Sequence, residues 1–173
     1  MPFLSFSRFG PTAVPALALA LILSLASAAT AAAAGIITGP VRVIDGDTLE
    51  IGDTRIRLHG IDAPESAQLC NDQRTGLKIR CGAWATSALE TFIDDARVAC
   101  SPRTTDRYGR VIAVCRTDGI DINQWMVRAG FAMAYRRYSA DYIRAEEAAK
   151  AERRGIWMTL FTPPWEWRRA QGD

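Results

Sequence analysis

Short β-rich runs bounded by glycine and aspartate are the feature that most constrains how this chain can fold. Residues 36–44 are rich in β-branched side chains and predict a first strand. The runs 48–51 and 54–59 have the same character, and Gly52-Asp53 between them is typical of a hairpin turn. The sequence therefore predicts a hairpin of short strands in this part of the chain.

The second hairpin strand has an apolar and a polar face. Ile56 and Leu58 alternate with Arg55, Arg57 and His59, and successive side chains of a strand point to opposite sides of a sheet. We therefore expect one face in the core and the cationic side chains on the other. His59 is the only histidine, which excludes metal sites and phosphodiesterase mechanisms that need two histidines from one chain.

Helical periodicity and further β-rich runs complete the pattern. Apolar residues spaced i, i+3, i+4 and i+7 predict a helix over 82–96. The later predicted elements are strands over 97–101 and 111–116, a helix over 122–129, a brief strand over 131–135, and a helix over 140–154 capped by Ser139 and ended by Gly155. Five short strands with about three helices predict an α+β fold that is mainly β, a five-stranded OB-type barrel.

Residues 1–34 have the layout of a secretory signal peptide. Arg8 precedes an apolar run over 14–25, and small residues follow over 26–34. We expect cleavage and export to the periplasm or the medium. An uncleaved anchor in the inner membrane is the alternative, because the alanine-rich end could extend the apolar helix to a spanning length. The expected domain then covers 35–162, followed by a tail over 163–173 that contains tryptophan and arginine.

Export would let the four cysteines form disulfides. No two of them form a C-x-x-C pair, which argues against a zinc ribbon. Four cysteines allow three pairings. Because Cys100 and Cys115 flank a predicted hairpin, the pairing Cys100–Cys115 with Cys70–Cys81 is favoured, while the others stay open. Free buried thiols are the alternative for a cytoplasmic protein.

Four carboxylates lie near the two ends of the predicted hairpin, those of Asp45, Asp47, Asp62 and Glu65. The net charge of +2 does not reveal them, because 21 basic residues nearly balance 19 acidic ones. Each short motif alone is typical of a turn. Held close together, however, the carboxylates would repel one another unless a cation joined them, and their hard oxygen atoms suit Ca²⁺ or Mg²⁺.

Two arginines accompany these carboxylates. Arg57 lies on the polar face of the hairpin strand that leads to Asp62, and Arg110 closes the turn that begins at Asp106. Phosphodiester hydrolysis gathers negative charge on the phosphorus oxygens and needs a base for water. Guanidinium groups with a divalent cation and a carboxylate meet both needs, so these residue types indicate metal-assisted phosphodiester hydrolysis.

Three linked motifs then make a specific resemblance. They are Val43-Ile44-Asp45-Gly46-Asp47-Thr48, Arg57-Leu58 leading to Asp62-Ala63-Pro64-Glu65, and Thr105-Asp106-Arg107-Tyr108-Gly109-Arg110. In order and approximate spacing they resemble the staphylococcal nuclease (thermonuclease) family, from about residue 38 to 158. The resemblance implies an OB-type barrel, one Ca²⁺ ion and cleavage of DNA and RNA phosphodiesters.

The resemblance also implies a role for each matching residue. The expected Ca²⁺ ligands are two carboxylates and one backbone carbonyl, those of Asp47, Asp62 and Ala63. The expected catalytic groups are the residue that orients or deprotonates water and the two that hold phosphate, namely Glu65, Arg57 and Arg110. The remaining matches are a supporting acid, Asp45, and three substrate contacts, Arg107, Tyr108 and Tyr135.

Two positions depart from the family pattern. Ala63 stands where threonine is commoner, which keeps the backbone carbonyl and loses a hydroxyl. A second tyrosine expected two residues after Tyr135 is replaced by Arg137, with Tyr138 one position further on. We expect a monomeric nuclease that acts on single-stranded or flexible DNA and RNA. The alternative is an inactive OB module that binds nucleic acid or a protein, although every acid and arginine named above is present.

Overall fold

A computed structural model describes residues 35–172 of the chain. The predicted signal peptide over 1–34 lies outside the described residues, as does the final residue. Within the described range, none of the helices combines the length and the apolar character needed to cross a bilayer.

The strands form one large sheet and two small ones. In chain order they are β1 (Ile37–Gly39), β2 (Val41–Asp45), β3 (Thr48–Ile51), β4 (Thr54–Leu58), β5 (Ile61–Asp62), β6 (Cys70–Asp72), β7 (Lys78–Ile79), β8 (Val98–Thr105), β9 (Val111–Thr117), β10 (Ile120–Asp121), β11 (Met133–Ala134) and β12 (Thr159–Leu160). Pro40 separates β1 from β2, which the sequence predicts as one strand, because proline has no N–H to donate to a ladder.

The large sheet has the hydrogen-bonded order β1-β8-β9-β4-β3-β2, with β10 paired to β9. Its neighbours are antiparallel except β4 and β9, which run parallel. The small sheets pair β11 with β5, and β12 with β6 and β7. The prediction of a mainly β, α+β fold is confirmed. The sheet is barrel-like but not closed, since no ladder among the described strands joins β1 to β2.

Four α-helices accompany the sheets in the described part of the chain, where the sequence predicts about three. They are α1 (Cys81–Ile93), α2 (Ile122–Arg128), α3 (Ile143–Ala151) and α4 (Pro164–Gln171), and a 3-10 helix spans Gly155–Met158. The additional helix is α4, which forms within the segment that the sequence predicts only as a tail.

Two helix boundaries differ from the prediction. The first helix ends at Ile93 instead of continuing to 96, because Asp94 takes a positive φ of 47° that interrupts the helix. The predicted N-cap of the third helix is wrong. The Ser139 hydroxyl accepts a hydrogen bond from the Asp141 N–H, which makes a separate turn, and α3 starts only at Ile143.

The core consists of two clusters. The larger one lies along the main sheet, and the smaller one contains Met133 and Ile156 near the β12-β6-β7 sheet. A disulfide belongs to each cluster: Cys100–Cys115 joins β8 to β9 in the larger, and Cys70–Cys81 joins β6 to α1 in the smaller. The favoured cysteine pairing is therefore confirmed, and all four sulfur atoms are used.

Candidate active site

The tight turn between β2 and β3 holds the first candidate metal ligand, Asp47. Its own N–H donates to the Asp45 carboxylate at 3.0 Å, and its backbone carbonyl accepts from the Leu58 N–H at 2.8 Å. Its carboxylate also accepts from the Ala63 N–H at 2.7 Å. This side chain is 2 % exposed and that of Asp62 is fully buried. The turn therefore places Asp47 beside the chain that follows β5, as the predicted proximity of the two motifs requires.

Arg57 joins the two buried carboxylates. It lies opposite Thr48 in the β3-β4 ladder, and its guanidinium donates to Asp47 and, at 2.5 Å, to Asp62. Burial opposes the charge of this guanidinium, but the surrounding carboxylates hold the pKa of Arg57 above its usual value. Of the predicted polar face of β4, Arg57 thus points into the acidic cluster, which comprises the carboxylates of Asp45, Asp47, Asp62 and Glu65, whereas Arg55 pairs with Glu50.

The acidic cluster has an unfavourable excess of negative charge at Asp47. Burial raises the pKa of the Asp47 carboxyl well above its usual range, and the nearby Asp45 and Asp62 raise it further, while Arg57 lowers it. A positive charge placed among these carboxylates removes that penalty. The acidic cluster therefore favours positive charge in addition to that of Arg57.

The Glu65 backbone is held by Gln68, three residues further along the chain, and by the start of α1. Its N–H donates to the Gln68 side chain at 3.2 Å, and its carbonyl accepts from the Gln68 N–H at 2.7 Å. Gly82 packs so closely that an added Cβ would lie 1.7 Å from the Glu65 carbonyl oxygen. Only glycine permits this approach, and the Cys70–Cys81 disulfide fixes the same end of α1. The Glu65 backbone is therefore fixed.

Arg110 is positioned by the turn between β8 and β9. Asp106 accepts hydrogen bonds from the N–H groups of Tyr108 and Arg110 and from the Arg110 guanidinium at 2.8 Å. Gly109 supplies the positive φ of 81° that closes the turn. Partial burial opposes ionisation, but these hydrogen bonds lower the pKa of Asp106. Asp106 therefore stays ionised and orients Arg110.

One open cavity of about 1330 Å³ unites most of the predicted site. The predicted residues that line it are Asp45, Arg57, Glu65, Arg107, Tyr108, Arg110 and Tyr135. The three candidate metal ligands, Asp47, Asp62 and Ala63, are buried beneath it. The structure thus brings together the side chains of three separate motifs, although Arg110 pairs with Asp106 and not with the acidic cluster.

The C-terminal helix α4 adds site residues that the sequence prediction missed. The Arg168 guanidinium donates to Asp62 at 2.8 and 3.1 Å and to Glu65 at 2.5 Å. Burial opposes its charge, but the two carboxylates hold the pKa of Arg168 above its usual value. The signal that could have found this residue is the pair of arginines that directly follows Trp165 and Trp167 in the tail.

Aromatic rings form the far wall of the cavity. Tyr135 stacks on Trp165 of α4 with ring centroids 5.4 Å apart and planes 5° apart. Tyr138 meets the Tyr135 ring edge-on at 4.8 Å and also lines the cavity. Tyr138, which lies one position later in the sequence than the family pattern expects, is therefore still beside Tyr135.

The donor set suits a hard divalent cation. Among residues 35–172, no group of three or more His, Cys, Asp and Glu side chains is arranged to hold a metal ion. Two of the carboxylates, however, are buried, lie close enough to share one guanidinium, and carry the charge excess described above. Carboxylate and carbonyl oxygens are the ligands that Ca²⁺ prefers. The residues at this site therefore fit the cation that their motifs imply.

Comparison with known proteins gives an independent assignment. The family described as "Staphylococcal nuclease homologue" matches residues 55–159. The "Succinoglycan biosynthesis protein ExoI" of Rhizobium meliloti is 41% identical over 72% of this chain and 66% of its own length. An Escherichia coli protein named "Uncharacterized endonuclease" is 38% identical over 74% of this chain and 82% of its own. The "Micrococcal nuclease" of Shigella flexneri is 33% identical over 75% and 79%.

Proposed function

We propose that this chain, which belongs to the staphylococcal nuclease family and is a hydrolase of the nuclease class, depends on Ca²⁺. Its proposed reaction is the cleavage of phosphodiester bonds in DNA and RNA. The observation that carries the proposal is the single cavity in which Glu65, Arg57 and Arg110 face the same space above the buried Asp47 and Asp62. A base, two phosphate-binding cations and a carboxylate pair are the groups that this reaction requires.

Asp47 and Asp62, with the backbone carbonyl of Ala63, would hold the Ca²⁺ ion. When bound, the ion supplies positive charge beside the phosphate oxygens. The buried, charge-rich environment of Asp47 supports this role, because a divalent ion would relieve the repulsion among the carboxylates. Asp45 supports the same turn by accepting the Asp47 N–H.

Glu65 is the proposed group that orients or deprotonates the attacking water. Its carboxylate lines the cavity and its backbone is fixed by Gln68 and Gly82. A fixed backbone limits the positions open to the Glu65 carboxylate, and this lowers the cost of reaching the transition state.

Arg57 and Arg110 are the proposed phosphate ligands. Their guanidinium groups reach the cavity from different strands, β4 and the β8-β9 turn, so a phosphate between them would be held from two directions. Planar guanidinium groups match phosphate oxygens in pairs. The charge that develops on those oxygens in the transition state would be stabilised by both.

The adjoining substrate surface is formed by Arg107, by the exposed ring of Tyr108 and by the partly buried ring of Tyr135, and bases can stack on such rings. Bases that are unpaired reach such rings without the cost of opening a duplex. We therefore propose a preference for single-stranded or flexible substrates.

Nuclease assays test the proposal directly. The purified protein is incubated with denatured DNA, duplex DNA and RNA, in Ca²⁺ and in excess EGTA. We expect hydrolysis in Ca²⁺, faster on denatured than on duplex DNA, and none in EGTA. The matched control is Glu65→Gln, which keeps the size of the side chain and removes the base. Full activity in EGTA would rule out the metal role.

The alternative of an inactive nucleic-acid-binding module gives a different result in the same assay. Such a protein would retain labelled denatured DNA on a filter without releasing products, and Glu65→Gln would behave as the wild type does. The full set of acids and arginines in one cavity favours the enzyme.

Export and the monomeric state complete the proposal. Two disulfides are compatible with an oxidising compartment. N-terminal sequencing of protein recovered from periplasm or medium should find the chain cut near residue 34, whereas an uncleaved protein in the membrane fraction would support the anchor. Light scattering of the purified protein should give the mass of one chain.

A further inference from the structure

The contact between α4 and the acidic cluster uses the same carboxylate oxygens that a metal ion needs. Arg168 donates to both oxygens of Asp62 and to one of Glu65. Its side chain is 27% exposed, so it bridges the buried cluster and the open cavity. The guanidinium therefore occupies the position of a cation at this end of the cluster.

Every carboxylate oxygen of Asp47 and Asp62 already accepts a hydrogen bond, so a divalent ion would have to replace a donor. The Asp47 oxygens accept from Arg57 and Thr48 on one side and from the Ala63 N–H on the other. One Asp62 oxygen is shared by Arg57 and Arg168, and the other accepts from Arg168 alone among the hydrogen bonds of the described residues. Both candidate ligands are thus already engaged by donors.

Arg168 is the donor that can leave at lower cost. Arg57 lies within the central β3-β4 hairpin, is 16% exposed and bridges two acids, so its departure would break the hairpin's own ion pairs. Arg168 belongs to an eight-residue helix at the end of the described chain. The segment before that helix is anchored separately, by a 2.6 Å hydrogen bond from the Gln68 side chain to the Thr162 carbonyl, and the buried Pro164 anchors the first residue of the helix.

We propose that Arg168 is the built-in counter-cation of the Asp62–Glu65 pair, and that docking of α4 competes with a divalent cation for these carboxylates and so sets the affinity of the site for the metal. The inference rests on the proposed function, because it takes Asp62 as a metal ligand. Occupancy of the oxygen atoms supports it: both Asp62 oxygens accept hydrogen bonds from the Arg168 guanidinium, so a metal ion bound at either oxygen would have to displace that donor.

The aromatic contact of the same helix extends the consequence to substrate. Trp165 covers one face of Tyr135, which is the proposed stacking surface for a nucleobase. Release of α4 would therefore free Asp62 and that face of Tyr135 together. Binding of the metal ion and binding of nucleic acid would then both favour the released position of α4. Each ligand would therefore increase the affinity of the protein for the other.

Metal affinity is the first measurement. The full chain and its Arg168→Ala variant are titrated with Ca²⁺ by calorimetry at fixed pH and ionic strength. We expect the variant to bind about tenfold more tightly, since a site that is competent for a tenth of the time shows an apparent Kd ten times its intrinsic value. The matched control is Arg169→Ala, which removes the same charge from an exposed neighbour on α4 and should bind as the wild type does.

Hydrogen exchange of α4 is the second measurement and needs no variant. Addition of saturating Ca²⁺ to the wild-type protein should speed amide exchange over residues 164–171, with little change in β3 and β4. Unchanged exchange of α4 in the Ca²⁺-bound protein would overturn the competition, whatever the stability of Arg168→Ala.

The outcomes separate this inference from the proposed function. Equal Ca²⁺ affinity in the wild type and Arg168→Ala overturns the role of Arg168 and leaves the metal-dependent nuclease intact. Weaker Ca²⁺ binding in the variant also overturns it. If neither protein binds Ca²⁺, both the inference and the metal site fail. A raised KM for denatured DNA with unchanged Ca²⁺ affinity would assign Arg168 to phosphate binding instead.

Discussion

The Arg57 guanidinium lies against the buried Asp47 carboxylate. Within residues 35–172, Arg57 is the only arginine that forms an ion pair with Asp47. Removing one partner of a buried pair leaves the other charge without compensation. Arg57 therefore has a structural as well as a proposed chemical role, and variants at this position must be interpreted with both in mind.

The first prediction concerns that double role. Arg57→Ala should lower the free energy of unfolding by about 3 kcal/mol as well as the activity, because Asp47 and Asp62 lose their shared partner. Urea denaturation of the metal-free protein measures the stability change. Arg57→Lys keeps the charge and should recover part of the stability but little activity, since an ammonium is a point charge without the planar fork that reaches two separate carboxylates and a phosphate. Equal stability of Arg57→Ala and the wild type would contradict the pair's structural role.

The second prediction isolates the proposed chemistry at Arg110. Its side chain is 27% exposed and pairs only with Asp106 in the described structure, so Arg110→Ala should fold almost normally. We expect kcat to fall by about 10²–10³, the usual cost of removing one preorganised donor to transition-state charge. Arg103→Ala removes an exposed arginine of β8 that does not line the cavity and should leave kcat unchanged. Initial rates at saturating denatured DNA give both values.

The third prediction follows from the lowered pKa of Asp106. A carboxyl group with a lowered pKa in the folded state adds stability above its unfolded pKa, and this contribution disappears as the pH falls through the folded value. Asp106→Asn should therefore lower the melting temperature by a few degrees at pH 7, and the difference from the wild type should shrink toward pH 2. Calorimetric melting curves over this range test it. A difference that grew at low pH would contradict the sign.

The fourth prediction compares the two disulfides. The Cys100–Cys115 link closes a loop of 15 residues, for which chain entropy predicts about 3 kcal/mol of stabilisation. Its cysteines are completely buried in the larger core cluster, so the double variant Cys100→Ala, Cys115→Ala also loses packing. We expect a greater loss of stability than for Cys70→Ala, Cys81→Ala, whose link closes 11 residues beside the smaller cluster. Urea denaturation of the two double variants and the wild type under oxidising conditions measures both losses of stability.

The sequence predicts the strands of the main sheet well because local rules determine them. Alternation of Ile56 and Leu58 with arginines defines β4 and its polar face, and the cysteines that flank the β8-β9 hairpin identify the Cys100–Cys115 pair. The carboxylates and arginines of the three motifs converge because short strands and tight turns leave little freedom between them.

The contribution of α4 could not be predicted because it depends on contacts across the chain. Arg168 and Asp62 are 106 residues apart in sequence, and neither carries a local signal that names the other. A helix of eight residues with one buried side chain is stabilised mainly by docking, which periodicity does not reveal. The same limit explains the late start of α3, where a side-chain hydrogen bond of Ser139 replaces the expected cap.

The close packing of Gly82 against Glu65 has a consequence for how the protein matures. The disulfide at Cys81 fixes the helix end that carries Gly82, so breaking this link would loosen one of the contacts that hold the Glu65 backbone. In a reducing cytoplasm those thiols stay apart. For a chain that is exported as we propose, oxidation after export would therefore complete the support of the Glu65 backbone.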